Sequence, residues 1–156
     1  MAFTPTAGLV MGTRPGDMDP GLLLYLMREE KLTCEQMETF ISHQCGLIGV
    51  SGSSSDMRDL LRVCRTDIRA ADAIALFCYQ AKKHLGALSV ALGGLDTIVF
   101  AGGIGENVPE IRTGICEGLD CLVVRLDGER NATGVGVISS DESRVTIRIP
   151  QLIKRL

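Results

Sequence analysis

Residues 96 to 109 read Asp-Thr-Ile-Val-Phe-Ala-Gly-Gly-Ile-Gly-Glu-Asn-Val-Pro. The β-branched and aromatic run from 97 to 100 predicts a short buried strand. The three glycines between positions 102 and 105 let the backbone turn tightly, and Asn107 with Pro109 predicts the cap and first turn of a helix. A strand, a glycine turn and a helix start present backbone N–H groups to an anion, so a phosphate or nucleotide site is the first hypothesis.

Spacing alone leaves two interpretations of this segment open. The Walker pattern of glycines followed by Lys-Ser/Thr is absent, and so is the full dinucleotide fingerprint. The other interpretation is a tight strand-to-helix connection that binds nothing, because glycine-rich turns of this kind are common in α/β folds.

Length and composition describe one ordinary globular chain. Its 156 residues are enough for a single domain with a substantial core, and 46% of them are hydrophobic and 22% charged. The net charge of -3 and the lack of a Lys/Arg block argue against a nucleic-acid partner. No apolar run approaches the roughly 18 residues of a membrane span, and the first residues lack the features of a signal peptide. We therefore expect a cytoplasmic protein with no membrane partner.

The six cysteines favour reduced, mostly buried thiols. No Cys-x-x-Cys pair occurs, and neither His43 nor His84 stands at zinc-ligand spacing from a cysteine. Several cysteines lie in apolar helical patterns, where a thiol behaves as a small hydrophobe. The sequence thus predicts neither a disulfide framework nor a metal site.

A second glycine-rich segment, residues 8 to 21, contains Arg14 as its only base. A guanidinium on such a loop can approach a phosphate closely and bind it with two hydrogen bonds. The alternative is a surface arginine paired with Asp17 or Asp19, since exposed ion pairs are common.

A third segment, residues 51 to 59, combines hydroxyls, a carboxylate and a guanidinium at a helix start. Asp56, Met57 and Arg58 could hold the ribose or base of a nucleotide. Equally, they could form a capped helix with a local Asp-Arg pair, which is the commoner meaning of the pattern.

Local signals predict several further elements. Asp19-Pro20 starts a helix, Thr33 with Gln36 forms a capping box, and apolar spacing predicts a long helix from Asp67 to Leu92 that ends at Gly93-Gly94. Ile111, Ile115 and Leu119 predict a short helix. Strands are expected at 121–126, 134–138 and 144–150.

Three segments taken together resemble one family. Residues 11–20, 49–59 and 99–107 are similar, in order and separation, to segments in the carboxy-terminal half of acetate kinases, of which propionate kinase is a close relative. The resemblance covers nearly the whole chain, from about Phe3 to Pro150. One such motif would be weak, but three in register are a specific signal.

The resemblance implies a fold and a reaction. The family has the superfold shared by sugar kinases, heat-shock ATPases and actin, so we expect one partial domain over residues 1–156, an actin-like ATPase lobe of α/β class with a mixed sheet flanked by helices. The family transfers a phosphoryl group reversibly between ATP and a short carboxylate such as acetate or propionate, giving acetyl phosphate and ADP with Mg²⁺. Its members form homodimers.

The resemblance also assigns roles to individual residues. Arg14 matches the arginine that balances charge on the migrating phosphoryl group. Asp56, Met57 and Arg58 match one ATP-binding segment. The other matches Gly103, Ile104, Gly105, Glu106 and Asn107. No residue matches the family's Mg²⁺-holding glutamate, because residues 151–156 replace that segment.

The chain departs from the family in length. Family members are more than twice as long, and their amino-terminal half supplies the carboxylate pocket, a second arginine, a catalytic aspartate and a histidine. Met1 falls where the family has an internal methionine, so we expect a start inside a longer reading frame. We expect this chain to supply the nucleotide-binding lobe. The alternative is a non-catalytic nucleotide-binding module, and the choice between acetate, propionate and butyrate stays open.

Overall fold

The computed structural model describes residues 4–95, 97–122, 124–132, 137–139 and 144–146. The chain divides into two compact units, Met1–Gln80 and Ala81–Leu156. No helix among the described residues combines the length and the apolar character that crossing a membrane requires.

The first unit is helical. It contains α1 (Pro20–Glu29), α2 (Cys34–His43), α3 (Gly46–Ser51), α4 (Met57–Val63) and the first part of α5 (Ile68–Leu92). Side-chain caps begin α1 and α2 as the sequence predicts: Asp19 accepts from the Gly21 N–H, and Thr33 and Gln36 form both bonds of the capping box. The predicted long helix is confirmed as α5, and Gly93 follows its end with φ 76°.

The core of the first unit brings the helices and the amino-terminal loop together. Its most buried side chains include those of Val10, Leu47, Leu60, Met57 and Met37, of which Leu60 is 0% exposed. The Val10 N–H donates to the Gln80 side-chain oxygen on α5 at 2.8 Å, which ties the loop to that helix. The loop that carries Arg14 is therefore part of the packed unit.

The second unit contains short helices and one pair of strands among its described residues. After α5 come α6 (Gly102–Asn107), α7 (Pro109–Cys116), a 3₁₀ turn (Asp120–Leu122) and α8 (Gly128–Ala132). Strands β1 (Val137–Ser139) and β2 (Arg144–Thr146) pair antiparallel, with Ile138 opposite Val145. Ile98, Phe100, Val108, Ile111 and Ile115 are buried in this unit.

The strand predicted at 97–100 is wrong. These residues form neither helix nor strand, although Ile98 and Phe100 are buried while Val99 is 55% exposed. A strand needs a hydrogen-bonded neighbour, and no described residue pairs with this segment. The apolar run therefore predicted a pairing that is not found, and only alternate side chains within it are buried.

The helix cap predicted at Asn107 is also wrong. The three glycines are themselves helical in α6, and α7 begins at Pro109 after Val108, which makes no side-chain cap. The Asn107 side-chain amide instead donates to the Gly103 carbonyl at 3.0 Å. The glycine segment is therefore a helical turn and not an open loop.

One of the three predicted carboxy-terminal strands is replaced by a turn, and the other two predictions coincide with strands β1 and β2. Residues 120–122 form the 3₁₀ turn where a strand over 121–126 is expected, because Leu119 and Cys116 carbonyls close tight turns there. Strands β1 and β2 fall at two expected positions, and residues 134–136 and 147–150 lie outside the described part of the chain.

All six cysteines are free thiols, but only two of them are buried, so the prediction of mostly buried thiols is wrong. Cys78 and Cys116 are buried, whereas Cys34 and Cys121 are exposed. Burial raises the pKa of Cys116 to about 11, which leaves that thiol protonated and unreactive at neutral pH.

Candidate functional site

The loop that carries Arg14 is held in place by its backbone. The carbonyls of Met11, Gly12 and Thr13 accept hydrogen bonds from the N–H groups of Leu47 (2.9 Å), Ile48 (3.0 Å) and Cys45 (3.1 Å). The first N–H groups of a helix have no partner within the helix, and α3 has no side-chain cap. The loop therefore serves as the cap of α3, and α3 fixes the loop.

Gly46 makes this close approach possible. Its φ is 68°, and a Cβ there would fall on the Met11 carbonyl oxygen and 2.7 Å from the backbone N and O of Arg14. Only glycine combines a positive φ with room for two backbones to touch. Gly46 is thus required by the loop geometry, and sequence reasoning did not single it out.

The structure brings two of the predicted site segments together within the first unit. A Cβ on Gly12 would lie 2.9 Å from the Ser55 carbonyl oxygen, so the backbone beside Arg14 packs directly on the residue before Asp56. The Arg14 loop and the Asp56–Arg58 segment are neighbours.

The Arg14 side chain is half-buried and has no hydrogen bond or ion pair to any residue in the described part of the chain. The two carboxylates considered as partners are used elsewhere. Asp17 accepts from the Gly8 N–H at 2.7 Å, and Asp19 accepts from the Gly21 N–H at 2.8 Å. A fixed loop thus presents a guanidinium that can meet an anion.

Asp56 and Arg58 form a local pair at the start of α4. The Arg58 Nε and Nη2 atoms donate to the two Asp56 oxygens at 3.1 and 2.6 Å, and Asp56 also caps the Arg58 N–H at 2.8 Å. These bonds lower the pKa of Asp56 to about 2. The Met57 side chain is 2% exposed, so it packs in the core. The capped helix that the sequence left open as an alternative is present.

Asp56 is expected to contribute to the stability of the chain above its ordinary pKa of 3.8, and this contribution is lost as the pH falls toward 2. Asp56→Asn keeps a good helix cap but does not titrate. We expect the difference in urea midpoint between the parent and Asp56→Asn to shrink on acidification below pH 3.8. Asp72→Asn, an exposed position on α5, is the matched control. A difference that is constant from neutral pH to pH 2 would contradict the role of the pair.

The glycine segment in the second unit has an open and a packed side. A Cβ on Gly103 would meet nothing within 4 Å, whereas one on Gly105 would lie 3.3 Å from the Phe100 backbone and side chain. Gly105 therefore lets α6 lie against Phe100, while Gly103 faces open space. The Glu106 carboxylate accepts from the Gly102 N–H at 3.2 Å.

Two buried polar residues that sequence reasoning missed lie behind this segment. Arg112 on α7 is 1% exposed and Asn131 on α8 is 4% exposed. Arg112 donates to the Asn131 side-chain oxygen and backbone carbonyl, both at 2.6 Å, and to the carbonyls of Gly105 (2.9 Å) and Glu106 (3.0 Å). Burial lowers the pKa of Arg112 from its ordinary value. We call this network the Arg112–Asn131 clamp.

A signal in the sequence could have found Arg112. It stands between Ile111 and Ile115 on the face of α7 that is buried, and an arginine on an apolar helix face requires internal partners. Those partners could not be read from the sequence, because Asn131 is 19 positions away.

No described group of three or more His, Cys, Asp or Glu side chains is arranged to hold a metal ion.

Comparisons with known sequences identify the family. The sequence model of the acetokinase family matches residues 1–151. Acetate kinase of Solibacter usitatus is 46% identical over 150 residues, which cover 93% of this chain and 36% of that protein. Acetate kinase of Brachyspira hyodysenteriae is 45% identical, covering 96% and 38%.

Solved structures agree in fold. A crystal structure of Porphyromonas gingivalis acetate kinase matches with TM-score 0.85 and 38% identity, over 94% of this chain and 38% of that one. A propionate kinase from Francisella tularensis matches with TM-score 0.87 and 32% identity, over 96% and 39%.

The fold is therefore that of one part of an acetate or propionate kinase, enzymes of the actin-like ATPase fold family. The chain belongs to the acetokinase family, as the three sequence segments indicated. It spans little more than a third of the length of the curated relatives it matches, 36% and 38% for the two above.

Proposed function

We propose that this chain supplies the nucleotide-binding lobe of an acetate kinase, which transfers a phosphoryl group between ATP and acetate or propionate and gives ADP and the acyl phosphate. The observation that carries the proposal is the family match over residues 1–151, which includes all three site segments. By family resemblance, the lobe has a mixed sheet flanked by helices, and the protein is a cytoplasmic homodimer.

Arg14 is the residue of this chain to which we assign chemistry. Phosphoryl transfer is catalysed mainly by positioning and by cations that neutralise charge on the migrating group. A half-buried guanidinium without an internal partner in the described residues, on a loop fixed by three backbone bonds, suits that role. Mg²⁺, which the family uses, is not assigned to any residue here, and no step is derived through it.

The nucleotide is assigned to two segments. Residues 103–107 offer an open glycine surface at Gly103. The segment 56–58 offers the exposed Asp56–Arg58 pair and backbone, since the Met57 side chain is buried. On binding a ligand, Arg58 would give up one of its two side-chain hydrogen bonds to Asp56. The loss in free energy would be small because the ion pair is exposed to solvent.

A second candidate is a nucleotide-binding module without kinase activity of its own. These 156 residues correspond to 36% of the length of a relative, and this candidate concerns these residues by themselves. Groups that act as a unit in catalysis are not replaced by the survivors when some are missing.

ATP binding and turnover are the measurements that test the proposal. We expect MgATP at about 100 times its Kd to stabilise the chain by about 2.7 kcal/mol in a thermal melt. The 156-residue chain alone is expected to give no acetyl phosphate above background in a hydroxamate assay. No response to MgATP would overturn the nucleotide assignment, and turnover that tracks added protein would exclude the non-catalytic module.

Gly103→Ala is expected to separate ligand binding from stability. Because Gly103 is helical and faces open space, alanine should leave the free chain as stable or stabilise it by up to about 1 kcal/mol. We expect MgATP binding to weaken about tenfold, since the added methyl group stands where the ligand approaches. Gly86→Ala in α5, which also meets nothing within 4 Å, is the matched control. Unchanged MgATP binding in Gly103→Ala would show that Gly103 does not contact the ligand.

A further inference from the structure

We propose that Arg112 is a positioning residue that sets the conformation of the glycine helix α6 from behind, through the Arg112–Asn131 clamp. The identity of the ligand that α6 meets rests on the proposed function. The clamp itself rests on contacts within the second unit.

The contacts explain why an arginine is needed. Its Nη1 atom donates to two successive carbonyls, Gly105 at 2.9 Å and Glu106 at 3.0 Å, which stand at the carboxyl end of α6. Those carbonyls have few partners within so short a helix. A cation there also complements the negative end of the helix dipole. Arg112 therefore donates to carbonyl groups at the carboxyl end of α6 that the helix itself does not satisfy.

The other side of the guanidinium is fixed to α8. Its Nε and Nη2 atoms donate to the two oxygens of Asn131, both at 2.6 Å. The Asn131 amide in turn donates to the Pro109 carbonyl at 3.0 Å and the Thr113 hydroxyl at 3.1 Å, both on α7. The planar fork of Arg112 thus joins α6, α7 and α8 at one buried point.

All four acceptors of the guanidinium are uncharged. The buried arginine has four hydrogen bonds and no carboxylate among them, so each of its three nitrogen atoms has a partner while its charge is not neutralised by a bonded partner. In an ordinary structural ion pair, the arginine would instead donate to a carboxylate. Recognition of backbone carbonyls serves instead to fix a path of the main chain, here that of the glycine segment.

Lysine cannot reproduce this geometry, because one ammonium group cannot span acceptors on α6 and α8 together. In Arg112→Lys we expect amide hydrogen exchange in the peptide covering residues 102–108 to accelerate about tenfold, with exchange in α5 unchanged. MgATP binding should weaken about tenfold in the same variant. Arg130→Lys is the matched control, because Arg130 precedes Asn131 on the same helix and is exposed.

Thr113→Val provides a milder test should Arg112→Lys unfold the chain. Thr113 is exposed and its hydroxyl accepts from the Asn131 amide. Loss of this hydrogen bond should accelerate amide hydrogen exchange in residues 102–108 two- to threefold and leave exchange in α5 unchanged. Exchange in residues 102–108 that stays at the parent rate in either folded variant would overturn the clamp. Failure of the parent chain to bind MgATP would overturn the proposed function, whereas the exchange rates of the ligand-free variants test the clamp independently.

Discussion

Gly46→Ala is expected to destabilise the chain by about 3 kcal/mol or more, a large share of the 5–15 kcal/mol typical of a domain. Two costs add at this position. A non-glycine residue at φ 68° costs about 1–2 kcal/mol, and a Cβ that strikes the backbone of Met11 and Arg14 adds about 1–3 kcal/mol. Relief of the clash would have to pull the Arg14 loop away from α3. The urea midpoint, followed by far-ultraviolet circular dichroism, measures the effect.

Gly8→Ala is the control that separates these two costs. Gly8 also has a positive φ, 97°, but a Cβ there would meet nothing within 4 Å. We expect Gly8→Ala to cost only the backbone component, about 1–2 kcal/mol. Equal losses in the two variants would mean that the close approach of the loop to α3 contributes little.

Arg112→Met is expected to destabilise the chain by about 3 kcal/mol. Removing a donor so that a buried acceptor is left unsatisfied costs about 1–3 kcal/mol for each such group. Here the four acceptors remain, and Asn131 is too buried to bind water in exchange. The free energy lost with these hydrogen bonds therefore exceeds the free energy gained because a charged side chain is no longer buried. A urea titration monitored by circular dichroism provides the measurement.

The double variant Arg112→Met with Asn131→Leu tests this balance. Removing the side-chain amide together with the guanidinium leaves fewer unsatisfied groups, so the two losses should not add. We expect a coupling of about 1–2 kcal/mol between the two substitutions. Strict additivity would show that Arg112 and Asn131 act independently despite their contact.

The helices of the first unit could be predicted because their signals are local. Thr33 and Gln36 are three residues apart and make both bonds of a capping box. The apolar spacing between Asp67 and Leu92 extends over enough turns to give α5 nearly to the residue. Such patterns depend only on residues within a few positions of one another.

The second unit was predicted less well because its structure depends on distant partners. The alternation of Ile98 and Phe100 with exposed neighbours resembles a strand, but pairing is a property of two segments. The three glycines suggested an open turn, whereas they lie in the helix α6, whose Gly105 carbonyl accepts a hydrogen bond from Arg112. Gly46 and Asn131 could not be identified from the sequence for the same reason, because their roles depend on contacts with residues distant in the chain.

The bonds between the Arg14 loop and α3 have a consequence for recognition. The carbonyls of Met11, Gly12 and Thr13 already occupy three N–H groups at the amino end of α3, so those donors are not available to a phosphate. Affinity for an anion at this loop then depends mainly on the Arg14 guanidinium. Attraction of this kind weakens as competing ions are added.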